Sequence, residues 1–167
     1  YAAAGMQAGL LRKSLSQLKA LADTDRKQII ADIRASVNLP RESMTIEELK
    51  QISAKGNVSI GSHTVTHPML PTCTDTVSRE EITRSKKILE GWLSRDITYF
   101  AYPNGAFTDR EIRYLKDAGY KLAFTTEPTY ITPQNIQDVY RLPRFDVLET
   151  ISFQENICRM TGVWFNR

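Results

Sequence analysis

The sequence predicts an α/β fold with a mostly parallel sheet or barrel, and three observations carry that prediction. Short runs rich in β-branched and aromatic residues alternate with segments that open on helix-capping sequences, the pattern of strand–helix–strand units. Two of the predicted helices end at glycine, which takes a left-handed cap without a Cβ penalty. The 167 residues are 41% hydrophobic and 25% charged, which suits one folded domain and excludes a disordered or low-complexity chain.

The elements follow in order. Residues 1–35 read as helix, because Leu10, Leu11, Leu15, Leu18 and Leu21 recur at three- and four-residue steps, and Ile29, Ile30 and Ile33 repeat the pattern. The polar stretch Asp23-Thr24-Asp25 divides this into two helices, and Leu39-Pro40 ends it, since a residue before proline avoids the α region. Thr45-Ile46-Glu47-Glu48 is a capping box that opens a helix to about Lys55, closed by Gly56. A short strand is predicted over 58–61. Ser78-Arg79-Glu80-Glu81 reads as a second box, opening a helix with Ile82, Leu89, Trp92 and Leu93 on one face. A strand over 97–102 follows. Thr108 to Glu111 is a third box, with its helix ending at Gly119, and strands are predicted over 122–125 and 139–147. Four strands are too few to close a barrel. The organisation expected is a helical segment, 1–44, that packs on the sheet or a neighbouring chain outside the site, followed by the α/β part, 45–167.

Several function classes are excluded. Lys and Arg outnumber Asp and Glu by only 22 to 19, with no basic block, so nucleic acid is not an expected partner. No apolar run approaches the roughly 18 residues of a transmembrane segment. Cys73 and Cys158 form no C-x-x-C pair and read as two ordinary buried thiols, with a disulfide between them as the alternative. Tyr1 is not an initiator Met and no signal-peptide pattern adjoins it, which predicts a mature, cut or truncated chain.

The two histidines of the chain form one motif, Ser62-His63-Thr64-Val65-Thr66-His67-Pro68. An H-x-x-x-H step within one turn brings two imidazoles onto one side, about 6 Å apart. Each can then reach a single Zn²⁺ at about 2.0–2.1 Å. The pair follows a predicted strand, in the type of loop where α/β enzymes carry their chemistry. Two loop histidines with ordinary hydrogen bonds are the plain alternative on spacing alone.

Residues 60–70, Ile-Gly-Ser-His-Thr-Val-Thr-His-Pro-Met-Leu, resemble the H-[ST]-x-x-H-P motif of NodB-type polysaccharide deacetylases, carbohydrate esterase family four. Further segments resemble the same family in order: the helix from Thr45 to Gly56, the Tyr99-Phe100-Ala101-Tyr102-Pro103-Asn104-Gly105 stretch, Gly119-Tyr120 through Thr126, and Leu142-Pro143-Arg144-Phe145. The likeness covers about 44–160. It implies part of a NodB-type (β/α) barrel with an added N-terminal helical segment. It also implies a divalent metal, Zn²⁺ first, on His63 and His67. The substrate it implies is an acetylated polysaccharide or oligosaccharide, lying against Tyr102, Pro103 and Asn104, with the Asn104 backbone N–H helping to form an oxyanion hole. The location it favours is extracellular or in the cell envelope.

The departures from the family pattern matter as much. The T-F-D-D-G motif, which supplies one Asp to the metal and another as general base, has no counterpart, and no Asp-Asp pair occurs in the chain. Truncation upstream and natural loss are both open. Ala101 stands where many members have an Arg, and Leu142-Pro143-Arg144 stands where many have L-x-H. Arg144 cannot act as an acid at ordinary pH but can orient a carboxylate bidentately; an ordinary salt-bridged strand residue is the equal alternative. The expected function is a metal-dependent hydrolase that cleaves the C–N bond of acetamido groups, or esters of O-acetylated glycan. The rival is a non-catalytic carbohydrate-binding or scaffold domain.

Overall fold

The computed structural model describes residues 13–14, 16–18, 21–37, 43–148 and 151–163. Its helices are α1 (Asp23–Ser36), α2 (Ile46–Ala54), α3 (Asp75–Leu93), α4 (Asp109–Asp117) and α5 (Phe153–Met160); its strands are β1 (Tyr99–Ala101) and β2 (Leu122–Phe124). Residues 13–14 and 16–18 are also helical, while Leu10, Leu11 and Leu15 of the predicted stripe lie outside the described residues.

β1 and β2 pair in parallel, Phe100 opposite Ala123. Two further segments extend the layer by single parallel bridges, Ser62 to Phe100 and Phe124 to Leu142. Four segments therefore stand side by side in sequence order, but the outer two are bridges rather than strands, and the first bridge falls at Ser62, one residue past the strand predicted over 58–61. At Ser62 the ladder is two bonds, Ser62 N–H to Tyr99 O (2.8 Å) and Ala101 N–H to Ser62 O (2.9 Å). α3 and α4 make the first two connections between the parallel segments, and a loop with one short 3-10 turn, Asn135–Gln137, makes the third.

The helix ends follow local chemistry with one exception. Thr45 and Thr108 make full capping boxes with Glu48 and Glu111. Gly56 and Gly119 take the left-handed conformation just past α2 and α4, at φ 77° and 78°. The predicted box at Ser78 is corrected: α3 begins a turn earlier, capped by Thr74, whose hydroxyl accepts from Val77 N–H. Ser78 and Glu81 thus sit inside the helix, and their side chains serve tertiary contacts. The break before α1 also falls earlier than predicted, at Ala22, so Asp23 and Thr24 belong to the helix.

The core lies between the parallel layer and α3 and α4. Leu70, Ile82, Ile97, Phe100, Tyr102, Tyr114, Leu115, Tyr120 and Ala123 form one buried cluster. Fully burying a Leu, Ile or Phe side chain contributes about 1.5–3 kcal/mol, so this cluster dominates the stability. Phe100 meets Tyr102 and Tyr120 edge-on at 5.4 and 5.3 Å between ring centroids. Cys73 and Cys158 are free thiols, as expected.

Candidate active site

The histidine loop leaves the sheet at Ser62, whose buried hydroxyl donates to Ser85 of α3 at 2.7 Å. His63 follows directly, with Nδ1 2.7 Å from the carbonyl oxygen of Ala101 on the neighbouring strand. A carbonyl can only accept, so Nδ1 carries a proton, and in the neutral ring Nε2 is the nitrogen with the lone pair. That is the arrangement in which an imidazole ligates a metal while its other nitrogen is held by the protein. The His63 and His67 rings lie 4.8 Å apart between centroids, edge to face. The spacing argument places them correctly but for a different local reason. No helical turn forms; Thr64 and His67 instead adopt left-handed backbone at φ 67° and 56°. Such conformations cost a non-glycine residue about 1–3 kcal/mol each and persist where surrounding contacts hold them.

Two buried charged residues supply those contacts, and sequence reasoning missed both. The Glu81 carboxylate accepts from the backbone N–H groups of Val65 (2.7 Å) and Thr66 (2.9 Å) and from the Thr66 hydroxyl (2.7 Å). The Arg26 guanidinium of α1 donates to the carbonyl oxygens of His67 (3.0 Å) and Thr66 (3.4 Å). Glu81 and Arg26 are 7% and 8% exposed. Glu81 was hidden inside an apparent capping box, and Arg26 in a helical segment without chemistry-bearing residue types. The expectation that the N-terminal segment stays outside the site fails at Arg26.

Arg144 comes to the same place from the far edge of the layer. A cavity of about 510 Å³ is lined by His63, Phe100, Ala101, Phe124 and Arg144, together with Ser59, Gly61, Ser62 and Tyr99. The Arg144 Nε donates to Thr125 O at 2.9 Å and lies 3.9 Å from Asp146. The guanidinium is therefore anchored at a wall of the cavity that His63 also lines.

The turn at Pro103–Gly105 divides the predicted substrate residues. The Tyr102 side chain is wholly buried, stacked on Phe107 at 4.5 Å, and its hydroxyl donates to Tyr140 O at 2.9 Å. Burial, with the charges of Asp138 and Glu111, raises the Tyr102 pKa well above that of a free phenol. Pro103 is buried too. Both side chains belong to the core, which corrects the expectation that they touch a glycan. An aromatic at a strand end satisfies core and groove patterns equally in sequence. Asn104 remains exposed, at φ 53°, with its side-chain amide against Met69 Sδ at 3.2 Å. The turn requires glycine next: a Cβ on Gly105, at φ 69°, would come within 2.2 Å of the Thr126 hydroxyl.

Two neighbouring imidazoles are the donor type that can fill two of the four positions around a tetrahedral ion. Among the described residues, no group of three His, Cys, Asp or Glu side chains is placed to hold a metal.

Residues 18–123 match the family model described as polysaccharide deacetylase. YxkH of Bacillus subtilis (strain 168), named as a polysaccharide deacetylase, is 30% identical over 88 residues, 53% of this chain and 31% of that protein. Among solved structures, the Streptococcus pyogenes deacetylase PplD in complex with acetate matches with a TM-score of 0.61 at 27% identity, over 71% of this chain and 50% of that one. A Bacillus cereus polysaccharide deacetylase matches at 0.60 and 27%, over 71% of this chain and 37% of that one. The chain spans half or less of the length of these relatives.

Proposed function

The chain belongs to the polysaccharide deacetylase family, its parallel layer being part of a NodB-type (β/α) barrel, and on that premise we propose that it carries the histidine half of a metal-dependent site that removes acetyl groups from an acetylated glycan. N-acetylated sugars are the first choice of substrate and O-acetylated ones the second. The observation that carries the reading is the tautomer of His63, fixed by Ala101 O, with the His67 ring beside it.

A bound divalent ion, Zn²⁺ first, supplies Lewis-acid polarisation and a water of lowered pKa. This chain's own residues do the rest of the positioning. His63 and His67 offer neutral imidazole nitrogens, so their contribution needs both rings unprotonated. Arg144 holds a carboxylate or the acetyl group of the substrate against the cavity wall, with Nε already anchored on Thr125 O. It orients and neutralises but does not protonate the leaving amine. The exposed turn at Asn104 offers a backbone N–H to the developing oxyanion. The general base is a carboxylate of the T-F-D-D-G type, which this sequence does not contain. α1 contributes to this site through Arg26, which bonds the carbonyl oxygens of Thr66 and His67. An extracellular or cell-envelope location fits a polymeric glycan substrate.

The test is acetate release from N-acetylated glucosamine oligomers, with and without chelator. A general base contributes about 10²–10⁴-fold, so the 167-residue chain alone should turn over negligibly. Placed behind a segment bearing a T-F-D-D-G strand, it should release acetate only with a divalent ion and with both His63 and His67 intact. Chelator-resistant activity would overturn the reading. Persistent inactivity on every acetylated glycan, with glycan binding retained, would favour the carbohydrate-binding alternative.

A further inference from the structure

We infer that Arg26 and Glu81 are positioning residues that clamp the histidine loop from opposite sides and set its affinity for a divalent ion. The inference rests on the reading of His63 and His67 as ligands. Its basis is a division of labour by charge. The anion takes only donors, the N–H groups of Val65 and Thr66 and the Thr66 hydroxyl. The cation takes acceptors, the carbonyl oxygens of Thr66 and of the ligand residue His67 itself. Thr66 is thus gripped at its N–H by α3 and at its C=O by α1.

Three features argue that the clamp acts on the site rather than merely joining helices. Arg26 and Glu81 are more than nine-tenths buried, so water competes little at their end of these part-buried hydrogen bonds. Charge-assisted hydrogen bonds are about twice as strong as neutral ones. The gripped peptides run from the one after Thr64 to the one after His67, the two left-handed residues whose backbone must be held for the rings to stay 4.8 Å apart. The Thr64 hydroxyl adds a local brace, accepting from His67 N–H at 3.1 Å. The clamp reaches the metal only through His67 and His63, and groups one step behind ligands typically set 10–100-fold of metal affinity.

The experiment uses the 167-residue chain, with Zn²⁺ alone as probe, read by titration calorimetry, and with amide hydrogen exchange at Val65 and Thr66 as a second readout. The variants are Arg26→Met, Arg26→Lys, Glu81→Ala and Glu81→Gln, with His63→Ala as reference. Arg26→Met and Glu81→Ala should each weaken Zn²⁺ binding about tenfold or more, and Glu81→Ala should speed exchange at both amides. Glu81→Gln should restore most of both, because its carbonyl oxygen accepts the two N–H groups while its amide donates to the Thr66 hydroxyl. Arg26→Lys should restore part of the affinity, since an ammonium can also donate to the carbonyls. Loss of Zn²⁺ binding in His63→Ala but unchanged affinity and exchange in the clamp variants would overturn the clamp and leave the metal site standing. Unchanged Zn²⁺ affinity in His63→Ala would overturn the metal site instead, and with it the role of the clamp in metal affinity. Failure of Glu81→Gln to rescue, in a chain that unfolds at the same urea concentration as the parent, would also overturn it.

Discussion

Helices α1 and α4 are similar in ambition and opposite in attachment. α4 buries Glu111, Ile112, Tyr114 and Leu115 against the core, and its last turn runs into buried Tyr120. α1 carries an isoleucine stripe of the same periodic kind, yet Ile29, Ile30 and Ile33 remain 38%, 37% and 49% exposed. Its buried anchor is Arg26, bonded to the backbone of the histidine loop. One helix is held by area removed from water and supports the whole molecule. The other is held by directional bonds to a loop and bears on that loop. Periodicity alone does not say which kind of attachment a helix has.

Cutting the core under α4 should produce the largest loss of stability. Leu115→Ala removes a side chain with no solvent exposure, and the expected cost is about 2–5 kcal/mol in urea unfolding. A cost under 1 kcal/mol would mean that α4 is less firmly packed than its burial indicates.

Glu111 gives the next effect and a pH signature. Burial pushes its carboxyl pKa up, but hydrogen bonds from Thr108, Arg110 and Ser78 outweigh burial and hold it below the usual range. A depressed folded pKa stabilises the protein above the unfolded value, about 4.3, and this contribution fades as pH falls through the folded value. Glu111→Gln should therefore cost about 1–3 kcal/mol at neutral pH. It should also flatten the stability profile below about pH 5, followed by urea midpoints across that range. An acid limb as steep as the parent's would assign the pH dependence to other carboxylates.

Capping sharpens the comparison at smaller scale. Thr45→Ala should cost about 1 kcal/mol, the usual contribution of an N-cap hydroxyl. Thr108→Ala should cost more, because the same hydroxyl also bonds buried Glu111 at 2.6 Å. Equal losses would show that the link to Glu111 adds nothing.

The smallest effect belongs to α1. Ile30→Ser and Ile33→Ser should each change stability by no more than about 0.5 kcal/mol, as exposed positions do. A loss above 1.5 kcal/mol in either would mean that another surface covers the stripe in solution.

The α/β character with a mostly parallel sheet, the boxes at Thr45 and Thr108, the glycines that end α2 and α4 and the closeness of His63 and His67 were all legible beforehand. The false box at Ser78 shows the limit of such signals. Ser-x-x-Glu satisfies the capping pattern anywhere, but Thr74 already starts α3, so Ser78 donates to Glu111 instead and Glu81 turns to the loop. Tyr102 shows the same limit at the site. Its strand position marks the turn correctly, while its neighbours Phe107 and Tyr140 decide that the ring is core.

By itself the sequence determined what depends on a few neighbouring residues: where α2 and α4 begin and end, that strands lie at 99–101 and 122–124, and that two imidazoles share one loop. Hydrogen bonds across three or four residues and the absence of a Cβ at Gly56 and Gly119 are local facts, written in the order of the chain. Tertiary structure alone decided what closes over forty residues or more. It set Arg26 on the carbonyl of His67, and it brought Arg144 to the wall of the His63 cavity. Those contacts depend on the register of whole elements packed around one core, and no local pattern of residues encodes that register.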